Sequence, residues 1–99
     1  TGGGFDENIP RMLGENQKAI IKHDFDDWPS GKYFKWLMET TGIPKENCLN
    51  TFNCGVGLII SVNKADEEDV LGALNQSLYA KTIGKIQEKE TNESQVLYV

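Results

Sequence analysis

Val56-Gly57-Leu58-Ile59-Ile60-Ser61-Val62, and after it the run Asp66-Glu67-Glu68-Asp69-Val70-Leu71-Gly72-Ala73-Leu74 continuing to Leu78, decide the fold class. The first stretch carries Leu58, Ile59 and Ile60 on both faces, the pattern of a strand covered on both sides. The second puts Val70, Leu71, Leu74 and Leu78 on one helical stripe. Asp66, Glu67, Glu68 and Asp69 stand where acids favour the positive end of a helix. A strand followed by a helix predicts an α/β or α+β domain, a mixed β-sheet covered by helices.

Working outward, Lys81 to Gln87 and Gln95 to Val99 read as two further β segments, with the polar Glu88 to Ser94 stretch as a hairpin connection or loop. Upstream, Tyr33, Phe34, Trp36, Leu37 and Met38 form an aromatic-rich helix face ending near Gly42, expected to be core. Pro44 to Asn50 suggests further helical turns. Lys18 to Lys22 is a short strand around Ala19, Ile20 and Ile21, and Phe5 to Leu13 a short helix limited by Pro10, which has no amide to donate. No repeat divides the chain, so residues 1–99 form one domain.

Fifteen acidic residues against ten basic ones give a net charge of −5 and repel polyanions, which excludes nucleic acid and an anionic membrane surface as expected partners. No run approaches the ~20 apolar residues that span a bilayer. Cys48 and Cys54 are too few for a disulfide framework and have no partners at metal-ligand spacing, so reduced thiols in the cytoplasm and no metal site are expected. Asp24, Asp26 and Asp27 read as a solvated turn rather than a magnesium site, and His23 as a surface residue. Cys54 reads as a small packing residue.

The candidate chemistry lies at the front. Gly2, Gly3 and Gly4 raise the entropy lost on folding, a cost justified where backbone amides approach an anion. Asn8 and Arg11, three residues apart, can present an amide and a guanidinium to one ligand. Each has a plainer reading beside the functional one: a turn for the glycines, an ion pair with an acid such as Glu7 for Arg11. Asn53 is a lesser candidate, read first as a turn or capping residue before Gly55.

The string Thr1-Gly2-Gly3-Gly4-Phe5-Asp6-Glu7-Asn8-Ile9-Pro10-Arg11 resembles the Thr-Gly-Gly-Gly-aromatic/aliphatic-x-Glu-Asn-aliphatic-Pro-Arg motif of aminoimidazole ribonucleotide synthetases. Trp28-Pro29, Phe34, Trp36-Leu37, Gly42, Thr51-Phe52-Asn53-Cys54-Gly55-Val56-Gly57 and Ile83-Gly84 follow in the order and approximate spacing of that family's C-terminal domain. The resemblance implies ATP-dependent closure of formylglycinamidine ribonucleotide to aminoimidazole ribonucleotide in purine biosynthesis. It further implies ATP and magnesium bound mainly by a preceding N-terminal domain, and a homodimer at full length. Substrate binding would then involve Gly2, Gly3, Gly4, Asn8, Arg11 and Asn53. The chain opens inside what looks like a functional loop, so the expectation is a C-terminal fragment of a two-domain synthetase, inactive alone. The competing expectation is a small-anion binding or interaction module without catalysis, or a related ATP-dependent synthetase.

Overall fold

The computed structural model describes residues 2–99; Thr1, the first residue of the glycine string, lies outside them. Its organising element is strand β1, Gln17–Ile21, in which Ala19 and Ile21 are buried and alternate with less buried neighbours. Strand β2, Gly84–Glu88, pairs with it antiparallel, and strand β3, Val96–Tyr98, pairs parallel on the other edge. The order β2-β1-β3 makes a mixed sheet, with Ala19 opposite Ile86 on one side and Val96 on the other. Gly84 faces Ile21 so closely that a Cβ there would fall 2.2 Å from the Ile20 carbonyl oxygen.

β2 and β3 are therefore not a hairpin. Residues 89–95 loop round the start of β1, where the Lys89 amide donates to the Asn16 carbonyl at 2.7 Å and the Gln95 side chain donates to the Gly14 carbonyl at 3.0 Å. Lys18 and Glu93 form an ion pair across the same junction.

The helical segments pack around this sheet. Helix α1 spans Gly4–Asn8 and passes into a 3-10 turn, Ile9–Met12, because Pro10 supplies no amide for continued α-helix. Helix α2, Gly31–Thr41, ends on Gly42 at φ 75°, whose amide returns to the Met38 carbonyl at 2.8 Å. Gly31 is also required: a Cβ would lie 1.7 Å from the Phe25 carbonyl oxygen. Helix α3, Lys45–Thr51, begins after Pro44 and buries Cys48 and Leu49. Phe5, Ile9, Ala19, Ile21, Phe25, Cys48, Leu49, Cys54, Val56 and Val96 form the core, with Phe34, Met38 and Phe52 packed against it. Helices around a three-stranded mixed sheet make this an α+β fold.

Three expectations need correction. The aromatic face of α2 is divided: Phe34 and Met38 meet the core, but Tyr33 and Trp36 are 64% and 62% exposed. A helix offers one stripe to a core on one side of it, and Tyr33 and Trp36 lie off that stripe. Residues 56–62 are not a strand in the sheet: Val56 is buried, whereas Leu58 is 82% exposed. The outer edges of the sheet, on β2 and β3, have no further strand among the described residues, and residues 56–62 pair with neither. Helix α4 spans only Glu67–Leu74 and buries none of its residues; Leu78 is exposed beyond it. Its C-terminal turn is closed instead by the Ala80 amide donating to Asn75 Oδ1 at 2.8 Å. This open arm accounts for a radius of gyration of 14.1 Å, against about 13 Å for a compact chain of this length. No helix among the described residues is long and apolar enough to cross a membrane.

The glycine environments yield opposite stability predictions. Gly31→Ala is expected to destabilise the chain by about 3 kcal/mol or more, since the added methyl meets backbone rather than a movable side chain. Gly72→Ala, in α4 with open space at its Cβ position, is expected to stabilise by up to about 1 kcal/mol. Urea unfolding midpoints of the two variants check both signs.

Candidate functional site

The three glycines at the front do different things. Gly3 has φ 87°, and a Cβ there would sit 2.2 Å from the Glu7 carboxylate. Gly4 has φ 54°, and its Cβ would lie 2.1 Å from the Leu49 carbonyl oxygen of α3. Both positions lie in the left-handed region that favours glycine. Gly2 is exposed, and a Cβ on it would meet nothing within 4 Å. Gly2 is thus the glycine that the fold itself does not require.

Asn8 fastens the turn: its Nδ2 donates to the carbonyl of Gly2 at 3.0 Å and of Gly4 at 2.8 Å. The amide nitrogen is committed to the backbone, leaving Oδ1 to face other groups. Arg11 stands exposed on the adjoining 3-10 turn and forms no ion pair among the described residues, including none with Glu7. An unpaired guanidinium keeps its fork of donors available to an anion.

Asn53 belongs to the turn after α3. Its Oδ1 accepts from the Gly55 amide at 2.9 Å and its carbonyl accepts from the Val56 amide at 3.0 Å. That turn carries Cys54 at φ 53° and Gly55 at φ 90°. The Phe52 carbonyl lies 2.8 Å from where a Gly4 Cβ would be, so Asn53 follows directly on backbone that touches the glycine turn. The structure thus gathers Gly2, Gly3, Gly4 and Asn8 into one hydrogen-bonded unit, with Arg11 on the next turn and Asn53 in the neighbouring segment.

Cys54 is fully buried, its Sγ 3.6 Å from that of Cys48. Burial, then the hydrogen bond with Cys48, pushes its thiol up to about 12, which fits a packing role and removes it as a nucleophile. In the acidic turn, Asp24 Oδ1 accepts from the Asp26 amide at 3.0 Å, Asp26 pairs with Lys35 at 3.3 Å, and Asp27 pairs with Lys81 at 2.5 Å. These carboxylates brace the turn into α2.

His23 is the residue that the sequence reading misplaced. It is only 5% exposed, and its ring packs against Phe5, Phe25 and Trp28 at centroid distances of 5.3, 4.9 and 6.4 Å. Neither ring nitrogen finds a hydrogen-bonding partner among the described residues. A buried polar atom left in that state costs about 1–3 kcal/mol. Lys45 Nζ donates to the His23 carbonyl at 2.7 Å. Burial lowers the imidazole pKa below its usual value, and the Lys45 cation lowers it further; Asp24 and Asp27 act in the opposite direction, and Lys81 adds a small lowering. The signal was present in the sequence: Ala19, Ile21, His23 and Phe25 share one parity, and all four are buried.

A depressed folded-state pKa means that the unfolded chain takes up the proton first. The His23 contribution to stability is therefore complete above about pH 6.5, the ordinary imidazole value, and falls as pH drops from there through the folded pKa. Carboxylates held below their usual values, including Asp24, act in a lower window, below about pH 4. Urea midpoints at a series of pH values between neutral and mildly acid should fall with a slope of at most about 1.4 kcal/mol per pH unit. His23→Leu should flatten that slope; an unchanged slope in the variant would assign the dependence to other groups.

Residues 1–97 match the model of the family described as AIR synthase related protein, C-terminal domain. That family spans several enzymes within a superfamily of ATP-utilising synthetases. With the α+β architecture, the glycine turn fastened by Asn8 and nearly the whole length matched, the chain belongs to the family of AIR synthase related C-terminal domains.

Proposed function

We propose that this chain is the C-terminal part of a phosphoribosylformylglycinamidine cyclo-ligase and supplies part of its substrate site. The observation that carries the reading is the glycine turn: Gly3 and Gly4 are held left-handed, Asn8 fixes the carbonyl groups of Gly2 and Gly4, and the Cα of Gly2 is left open to close approach. Exposed Arg11 adds a fixed positive charge one turn away. Such a surface suits the phosphate of a phosphoribosyl substrate, because backbone amides and a guanidinium both donate to anionic oxygens.

In the reaction, ATP transfers its terminal phosphoryl group to the formamide oxygen of formylglycinamidine ribonucleotide. An amine nitrogen of the same molecule attacks the activated carbon, the C–O bond breaks, and phosphate and a proton leave as the imidazole ring closes. ADP is the second product. Positioning and charge neutralisation are the protein's principal contributions to such chemistry. The turn's share is to hold the phosphoribosyl end still while the other end cyclises.

Magnesium does not fit this chain's own carboxylates. The acidic turn is committed to a cap and two ion pairs, and no group of three ligating side chains occurs among the described residues. In this reading ATP and magnesium belong mainly to a preceding domain of the same polypeptide, in a cytoplasmic homodimer that acts in purine biosynthesis. The exposed apolar run supports such a partner domain, since Leu58, Ile60 and Val62 stand 82%, 51% and 43% exposed beside a helix that buries nothing. The 99-residue chain by itself is expected to be inactive.

Gly2→Ala in the longer enzyme is expected to leave stability within about 0.5 kcal/mol of wild type, while lowering substrate affinity or turnover. Gly3→Ala is a poorer probe, because its left-handed backbone makes it cost about 1 kcal/mol of stability whatever it binds. Arg11→Ala should weaken substrate or transition-state binding by about 1.5–3 kcal/mol with an unchanged melting temperature. Normal ring-closure kinetics in both Gly2→Ala and Arg11→Ala would overturn this assignment.

A further inference from the structure

His23 follows closely on the end of β1, and three rings close round its imidazole: Phe5 from α1, and Phe25 and Trp28 from the acidic turn that leads into α2. We propose that this ring is an acid-operated latch: when it takes up a proton, helix α1 lifts off it and the glycine turn loses its seat on α3, while the sheet stays folded. The device rests on packing alone and is independent of what the glycine turn binds.

A neutral imidazole is tolerated in this place at the cost of its unmade hydrogen bonds. An imidazolium is not. Both nitrogens lack accessible surface and a partner among the described residues, so the charged form would bring a second N–H donor and a full charge to a position that offers neither an acceptor nor water. Lys45, bonded to the His23 carbonyl and lying over the Phe25 ring, repels that charge from α3, and Lys81 adds to it. Asp24 and Asp27 act the other way without overcoming burial. The cavity of about 200 Å³ on the side of α3 and Tyr98 gives the charged ring no refuge, since Lys45 and Glu46 both line it and cancel.

Relief requires one wall to move. The His23 backbone is held, by Lys45 at its carbonyl and by the adjoining Lys22 amide on the Ile83 carbonyl at 2.8 Å. The wall of Phe25 and Trp28 is braced by the ion pairs Asp26–Lys35 and Asp27–Lys81, by the Tyr79 hydroxyl on the Asp27 carbonyl, and by Gly31 against the Phe25 carbonyl. Helix α1 is five residues long and has no ion pair among the described residues. Its one side-chain hydrogen bond to the sheet, Asp6 with Tyr98, is exposed. A helix this short has little stability of its own, so α1 is the wall that yields. Gly4 rests against the Leu49 carbonyl, and the departure of α1 takes the glycine turn with it.

The test is native-state hydrogen exchange of the 99-residue chain, read by NMR from about pH 7 to about pH 5 and corrected for the intrinsic pH dependence of exchange. The probes are the Ile9 amide, which donates to the Phe5 carbonyl, and the Ala19 amide, which donates to the Gln95 carbonyl at 2.8 Å. Below about pH 6.5 the opening constant at Ile9 should rise about tenfold per pH unit. It should not respond to low urea, because a local opening exposes little surface. Ala19 should open less often and with the urea dependence of global unfolding. In His23→Leu the opening at Ile9 should stay level over this pH range. An opening constant at Ile9 that is level with pH in the wild type, one equal to that at Ala19 with the same urea dependence, or a pH dependence that survives in His23→Leu would each overturn the latch. The comparison of Ile9 with Ala19 uses the wild-type chain alone and decides the matter even if the variant fails to fold.

Discussion

β1 lies between β2 and β3, opposing Gly84 on one edge and Tyr98 on the other at Ile21, and this double pairing constrains most of what surrounds it. It sends the 89–95 loop round the start of the strand and turns Ala19 and Ile21 toward the buried side chains of α1 and α3. Residues 56–62, whose composition suits a sheet, pair with neither of its outer edges, on β2 and β3. An apolar extended run without a ladder is a surface that another element can cover.

The glycine turn depends on that core through one close approach. Gly4 packs its Cα against the Leu49 carbonyl of α3, and only the absence of a Cβ permits it. α3 in turn buries Cys48 and Leu49, so the turn is seated on a packed helix instead of hanging from a free loop. Asn8 closes the arrangement from the other side by holding two of the glycine carbonyls. Such a turn is preorganised, as the proposed role of holding one end of a substrate requires.

Polar residues in this domain divide between bracing and availability. Asp24, Asp26 and Asp27 are engaged in a cap and two ion pairs, and Asn53 in the turn at Cys54 and Gly55. Among the groups whose hydrogen-bonding capacity is not absorbed by the described residues are Arg11 and the imidazole of His23. One stands at the surface beside the glycine turn and the other is buried behind it, with Phe5 in contact with the His23 ring.

The sequence by itself determined what rests on near neighbours in the chain. Pro10 turning α-helix into 3-10, Gly42 ending α2, Pro44 preceding α3 and Asn53 closing a turn on Gly55 were legible, because each involves atoms a few residues apart. Family membership was legible too, since the ordered strings from Thr1 to Arg11 and from Thr51 to Gly57 are local features. Only the tertiary structure decided which glycine is free of structural duty: the atoms that exclude a Cβ at Gly4 belong to α3, more than forty residues away. It also decided that His23 lies inside and that residues 56–62 stand outside the sheet. Periodicity states which faces are apolar, whereas burial and strand pairing depend on what a distant part of the chain brings to those faces.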